Sequence, residues 1–360
     1  MPTHLTRGWI EIDLDAVVRN ARAMAVRANA ILPMVKADAY GVGAVRVARA
    51  LEPLSPWGYG VATVEEGREL RDAGIARPII LFTSVDPEEL AAAHGAGLTP
   101  ALASVYAIEH WQRLGGGAWH LPIDTGMSRS GVRWADVQSL SRALLACPPE
   151  GAFTHFHSAA LDDGTQAEQE RRFEQALAAL PARPRVLHAD NSAALARRGR
   201  PKWDLGRPGI FLYGVGAGGG ATVRPEPVVA LRARIVEMRT IGAGESVSYD
   251  ATFRAERRTR IATIPVGYAD GYRRALGNSA HAIIAGRRAP VVGVVTMDMT
   301  MLDVTDVPAR IGDIATLAGI DGDERVEIAD LAEWSNASTY ELLTGLHARL
   351  PRHYSGGDGV

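Results

Sequence analysis

ILPMVKADAYGVGA, residues 31–44, is the stretch that decides the fold. Ile31, Leu32, Met34 and Val35 form the short apolar run expected of a buried strand. Lys36 stands at the end of that run. Tyr40-Gly41-Val42-Gly43 then turns the chain into an Ala- and Val-rich segment of helical character. A lysine leaving a buried strand is costly as a free charge, because its ammonium must stay hydrated or paired. Partial desolvation lowers an amine pKa from about 10.4 toward neutrality and makes the residue a useful Schiff-base former. Spacing alone leaves a second reading open, a strand-end lysine reaching solvent, since isolated lysines are mostly surface residues.

Outward from this stretch, apolar segments alternate with helical ones. PMVKA, YGVATV, PIILFT, WHLPID, GAFTHF and RVLHAD read as strands. EEGRELRDAG, PEELAAAHGAG, WADVQSLSRALLA and QAEQERRFEQALAAL have helical periodicity. Such alternation implies parallel strands, and about eight units close a barrel. Composition changes at GVGAGGGATVRPEP, residues 214–227, where glycines and then two prolines mark a loop or linker. Beyond it, ALRARIVEMRTI, TRIATIPVGYA, AHAIIAG, APVVGVVTMDMTMLDV and DIATLAG are β-branched and punctuated by glycine or proline. Only VEIADLAEWSN and TYELLTGL look helical there. The chain therefore reads as an α/β protein: an N-terminal (β/α)8 TIM-type barrel over residues 9–222 and a mostly β-strand domain over 223–360.

At 360 residues the chain exceeds what one core usually holds. A net charge of −2, with Lys and Arg spread through the sequence, gives no support for nucleic-acid binding. The cluster Arg197-Arg198-Gly199-Arg200 reads as a solvated helix end. Cys147 is the sole cysteine, so no intramolecular disulfide forms; its place before Pro148 and Pro149 suits packing. The first thirty residues carry Glu11, Asp13 and Asp15 and lack an apolar secretory core. No stretch reaches the ~18 apolar residues of a membrane span. A cytoplasmic location is the default expectation, with no membrane partner and no metal.

VKADAYGVGA resembles the cofactor-lysine segment of the alanine racemase family, and the likeness runs along nearly the whole chain. It is carried by RGWIEIDLDAVVRNARAM, GYGVATVEEGRELRDAGI, IDTGMSRSGV, FTHFHSA, NSAA, GRPGIFLYG, SYDATF, VGYADGYRRALGN and VVTMDMTMLDVTD. The resemblance implies a barrel that binds pyridoxal 5′-phosphate (PLP), with the N-terminal strand, residues 1–8, joining the second domain. It implies interconversion of L- and D-alanine by two bases, supplying D-alanine for peptidoglycan. It also implies a homodimer with shared active sites.

Racemisation removes an α-proton and returns it on the other face. It needs two acid/base groups, an anion site and a cation for the substrate carboxylate. By resemblance, Lys36 is the base for the D-enantiomer and Tyr268, in IPVGYADGY, is the second base, contributed by the other subunit. A tyrosine's ordinary pKa near 10 means that it needs help; the family gives it through a histidine, here His155. Arg207, in GRPGIFLYG, matches the arginine facing the pyridine nitrogen, with Pro208 a departure beside it. An arginine there cannot give up its proton and so holds the ring nitrogen unprotonated. Tyr40, Ser192, Gly209 and Ile210 match phosphate positions. Arg129, Met297 and Asp298 match positions near the substrate. Each also has a plain reading: Tyr268 as an aromatic flanking a glycine turn, Ser192 as a helix start, and Met297, Met299 and Met301 as one apolar strand face.

Two departures stand out. Pro122 occupies the place of a lysine that many family members carbamylate to orient the arginine at 129, and a proline has no amine. Either an anion such as chloride or a neighbouring carboxylate then takes over, or Arg129 is looser; Asp124 is near but also matches a family position with a structural turn role. Ala348 stands where the family carries a tyrosine near the phosphate. These departures make a racemase of broader amino-acid scope the main alternative. A non-catalytic PLP carrier is a weaker one, because barrel-only carriers lack the second half.

Overall fold

The computed structural model describes residues 7–357. Two compact units make it up: Val17–Ala39 with Gly43–Glu226, and the residues through Ala16 with Tyr40–Val42 and Pro227–Gly357.

The first unit is a closed parallel barrel. Its eight strands are Ala30–Ile31, Tyr59–Val61, Ile79–Leu81, Thr99–Pro100, His120–Asp124, Gly151–Phe153, Val186–Asn191 and Leu205–Arg207. Leu205 pairs back with Ala30, while single bridges at Met34–Gly60 and Ala101–His120 join the remaining gaps in the ring. Two of these strands, Thr99–Pro100 and Leu205–Arg207, lie outside the segments read as strands from sequence. Both are short and lack an apolar β-branched run. The helices start where local chemistry supplies partners for their first N–H groups. Thr63 with Glu66 and Asp86 with Glu89 form reciprocal capping boxes, and Ser104 caps the next helix through the Ala107 N–H. Leu90, Ile108, Trp111, Trp119, Leu121, Ile123, Phe173 and Leu177 form one buried cluster between strands and helices, and Cys147 packs against it.

In the second unit the strand Gly8–Asp13 lies between Val229–Arg234, antiparallel to it, and Arg352–Ser355, parallel to it. The sheet extends through Ile314–Asp321, His281–Ile284 and Arg287–Pro290. A three-stranded sheet of Glu237–Ile241, Thr259–Ile264 and Thr300–Asp303 accompanies it. Helices are confined to Ile328–Ser335 and Thr339–Thr344, apart from single 3-10 turns, among the described residues after Pro227. The methionines do not share one strand face. Of Met297, Met299 and Met301, only Met301 lies in a strand, where it packs against Val247, Ile261 and Val292; Met297 and Met299 precede it and are exposed.

Candidate active site

The first barrel strand delivers Lys36. Val35 donates its N–H to Gly60 O at 2.9 Å, Met34 donates to Pro208 O at 2.9 Å, and the Tyr213 hydroxyl donates to Met34 O at 2.7 Å. The backbone just before the lysine is thus pinned to the second and eighth strands. The turn after it is left-handed: Ala37, Asp38, Ala39 and Tyr40 have φ between 52° and 59°. Such a conformation costs about 1–2 kcal/mol per residue for L-amino acids. Three N–H groups in and after it have partners. Ala37 N–H donates to Glu66 Oε1 at 2.6 Å, Ala39 N–H to Val35 O at 2.7 Å, and Ala44 N–H to Asp38 Oδ1 at 2.7 Å. Nothing in Ala-Asp-Ala announces this hand.

Lys36 is half-buried. Burial first, then the Arg129 and Arg207 charges, push its amine below the ordinary lysine range, and only Glu66 opposes them. His155 is pushed down to about 3, chiefly by burial and then by Arg207, Arg129 and Lys36. The four basic side chains therefore share one electrostatic neighbourhood.

Arg207 is 3% exposed, and both of its terminal nitrogens are engaged. Nη2 donates to Thr154 O at 2.7 Å and Ala189 O at 3.0 Å and reaches His155 Nδ1 at 3.4 Å; Nη1 meets His188 Nδ1 at 2.9 Å. Phe82 and Phe153 present their rings to the guanidinium at 5.9 and 5.6 Å. Burial lowers its pKa to about 10, so it stays a cation. Behind His155, Gln169 donates to His155 O at 3.0 Å and to Thr125 Oγ1 at 3.1 Å, and Thr125 and Thr154 share a hydroxyl bond of 2.7 Å.

Ser192 is buried where the seventh strand enters a helix capped by Asn191. Its Oγ accepts the Gly209 N–H at 2.8 Å and the Phe211 N–H at 3.5 Å. The hydroxyl's own proton is left to donate. Ile210 opens the turn Ile210–Tyr213 directly after Gly209. Arg129 is exposed, in the loop after the fifth strand. Asp124 Oδ1 accepts the N–H groups of Gly126, Met127 and Ser128, each at 3.0 Å, so it shapes that loop. Pro122 is buried within the fifth strand.

In the second unit Tyr40 is buried and its ring lies 5.9 Å from Tyr340. Burial raises its phenol pKa, which keeps it an O–H donor. Tyr268 begins a short turn, with its ring 41% exposed. The Tyr268 N–H donates to Thr296 O and the Ala269 N–H to Met297 O, both at 3.0 Å, which brings Tyr268 beside Met297. Asp298 pairs with Arg349 at 2.8 Å, and Arg349 also reaches Asp270 at 3.2 Å. Tyr354 donates its hydroxyl to Val42 O at 3.0 Å.

Sequence reading missed His188, Glu66, Gln169 and His120. The available signal was a histidine in each of two apolar strand segments, RVLHAD and WHLPID. The cluster at Arg197 and Arg198 is also less solvated than its composition suggests. Arg198 pairs with Asp190 at 2.9 Å and with Glu170, and Arg197 donates to Ala159 O at 3.1 Å.

The segment after the barrel's first strand thus carries a half-buried lysine among arginines, and the barrel is covalently continuous with a strand-rich unit. Residues 12–217 match the alanine racemase N-terminal domain and residues 228–354 the C-terminal domain. An alanine racemase of Symbiobacterium thermophilum is 40% identical over 97% of both chains. One of Deinococcus radiodurans is 38% identical over 97% of this chain and 99% of its own. Among solved structures, the alanine racemase from E. faecalis superposes with a TM-score of 0.92 at 29% identity, covering 98% of this chain and 99% of that one. The Bartonella henselae alanine racemase with covalently bound pyridoxal phosphate gives 0.89 at 29% identity, over 97% and 100%. A histidine racemase from Leuconostoc mesenteroides gives 0.89 at 27% identity, over 98% and 99%. The chain belongs to the alanine racemase family, whose members are PLP-dependent isomerases.

Proposed function

We propose that this enzyme interconverts L- and D-alanine with PLP, Lys36 and Tyr268 serving as the two bases. The observation that carries the reading is Lys36: an amine just beyond the first barrel strand, depressed by burial and by Arg129 and Arg207. The cluster fits the cofactor. Three cationic or basic partners around one amine suit a phosphorylated, carboxylate-bearing complex, and the Ser192 hydroxyl has a proton to give. When bound, PLP supplies the electron-poor ring that makes the α-proton acidic enough to move.

The chain's own groups do the rest. Lys36 Nζ takes or returns the proton on one face, its depressed pKa bringing the neutral amine closer to working pH. Tyr268 does so on the other. Arg207, a permanent donor, would meet the ring nitrogen and hold it unprotonated, and His155, 3.4 Å from Arg207, would assist the tyrosine. Ser192, with Tyr40, Gly209 and Ile210, holds the phosphate. Arg129, Met297 and Asp298 meet the substrate end. Because Tyr268 is exposed in its own unit, we place it in the site of a second copy, in a cytoplasmic homodimer with shared sites supplying D-alanine for peptidoglycan.

A broader-scope racemase is the second reading. It is favoured by Pro122, which leaves Arg129 without the family's orienting group, by Ala348, and by the likeness to a histidine racemase. A chiral assay of the PLP-loaded protein over the twenty L-amino acids decides between them. D-alanine alone supports the first reading, several D-products the second, and no D-product overturns both.

A further inference from the structure

We propose that Glu66 is a positioning residue for Lys36, its carboxylate tying the left-handed turn after the lysine to the start of the neighbouring helix. Its value to cofactor capture rests on the reading of Lys36 given above.

Glu66 does more than cap a helix. It is the third residue of the helix Val64–Asp72, which Thr63 caps. In a capping box the carboxylate at that place reaches back to the N–H of the cap residue. Glu66 Oε2 does so, accepting the Thr63 N–H at 3.3 Å and the Ala62 N–H at 2.7 Å. Its other oxygen, Oε1, turns away from the helix and accepts the Ala37 N–H at 2.6 Å, 29 residues back along the chain. Glu89, at the same place in the helix Pro87–Gly95, serves its own cap through the Asp86 N–H at 3.1 Å.

Lys36 is thereby bracketed. Before it the Val35 N–H meets Gly60 O at 2.9 Å, and after it the Ala37 N–H meets Glu66. Both acceptors belong to the strand Tyr59–Val61 and the helix that follows it. Four successive residues with φ between 52° and 59° persist only where their surroundings over-determine them. Two supports are local: the Ala39 N–H donates to Val35 O, and Asp38 accepts the Gly43 N–H at its carbonyl and the Ala44 N–H at Oδ1. Such bonds keep the hand of the turn but do not fix its tilt against the barrel. Glu66 is the support that comes from another element. Its charge acts in the same place. Burial, Arg129 and Arg207 disfavour the ammonium form of Lys36, and Glu66 favours it. His155, the remaining member of the cluster, is held neutral. The carboxylate that aims the lysine therefore also limits how far its pKa is driven down.

A shorter side chain separates aiming from capping. Asp330, third in the helix Ile328–Ser335, still reaches its cap, accepting the Glu327 N–H at 2.7 Å. E66D should likewise keep the helix start and lose its reach to Ala37. In cofactor-free, 15N-labelled protein, hydrogen exchange of the Ala37 amide should quicken on the order of tenfold in E66D, the loss of one hydrogen bond to a charged group, while the Thr63 amide changes little. Lys36 and Lys202 are the only lysines in the sequence, so acetic anhydride labelling read by peptide mass spectrometry titrates the Lys36 amine with Lys202 as internal standard. E66Q, which removes the charge, should move the Lys36 titration to lower pH and leave that of Lys202 in place. Added PLP, followed by its visible absorption, should be captured on the order of tenfold more slowly by E66D. E89A, which removes the corresponding glutamate of another capping box, should capture PLP at the wild-type rate. Equal Ala37 exchange in wild type and E66D, an unmoved Lys36 titration in E66Q, or a slowing in E89A as large as in E66D would overturn the proposal. Because exchange and titration are read without cofactor, variants that move both yet capture PLP at the wild-type rate would instead count against Lys36 as the cofactor residue.

Discussion

Lys36, Tyr268 and the three histidines His155, His120 and His188 make separate claims at the scale of single residues. On the proposed reading Lys36 holds the cofactor, so the purified Lys36→Ala variant, incubated with PLP and dialysed, should lack the visible absorption of lysine-bound pyridoxal. A retained band would remove Lys36 from the site. Tyr268→Phe should keep the cofactor and lose racemisation by about 10² to 10⁴, the range for one general acid/base group. In deuterated solvent its α-exchange should survive better from D-alanine, on the Lys36 face; equal loss from both enantiomers would refute two opposed bases. His155, held down at about 3, and His120 and His188, both lowered chiefly by burial, stay neutral in the fold at pH values where an unfolded histidine is charged. The unfolded chain then binds more protons below its histidine pKa of about 6.5, so stability falls as pH drops through that value. Each such histidine contributes a slope of up to about 1.4 kcal/mol per pH unit. Urea unfolding midpoints should fall clearly from pH 7 to pH 5, and a flat profile would show that the three imidazoles titrate alike in both states.

Among the elements, the turn carrying Tyr268 shows how backbone proximity sets a side chain. A Cβ on Gly267 would overlap Thr296 O and stand 2.5 Å from Met297 O. Gly267→Ala should therefore push the turn outward, cost about 1–3 kcal/mol by overpacking, and lower activity through Tyr268. Gly95→Ala, which meets nothing within 4 Å, is the control that should leave activity alone. Stability and racemisation measured together separate the two. The legibility of the sequence follows the same line between local and distant causes. Lys36 was readable because an apolar run ends on it, and the helices Val64–Asp72 and Pro87–Gly95 were readable because their periodicity lies within their own residues. The strand Thr99–Pro100 was not, because two residues carry no period. The left-handed turn at Ala37–Tyr40 was not, because its support comes from Glu66, far along the chain. Nor was the His120–His188 contact, which joins residues 68 apart on strands whose pairing only barrel closure creates.

For the whole molecule, shared sites make a quantitative claim. Mixed Lys36→Ala and Tyr268→Phe chains, each inactive, should regain activity once subunits exchange. Equal mixing gives about half heterodimers, and one intact site in two then gives roughly a quarter of wild-type activity. No recovery under conditions where exchange is demonstrated would mean that each chain builds its own site. The strand Gly8–Asp13 has a consequence for biosynthesis. It sits between partners at Val229–Arg234 and Arg352–Ser355, one of which emerges from the ribosome after more than two hundred further residues and the other after more than three hundred. All eight barrel strands are made in between. The barrel has its complete strand set while this early segment still waits, its edge groups unpaired and open to chaperones or to a neighbouring nascent chain.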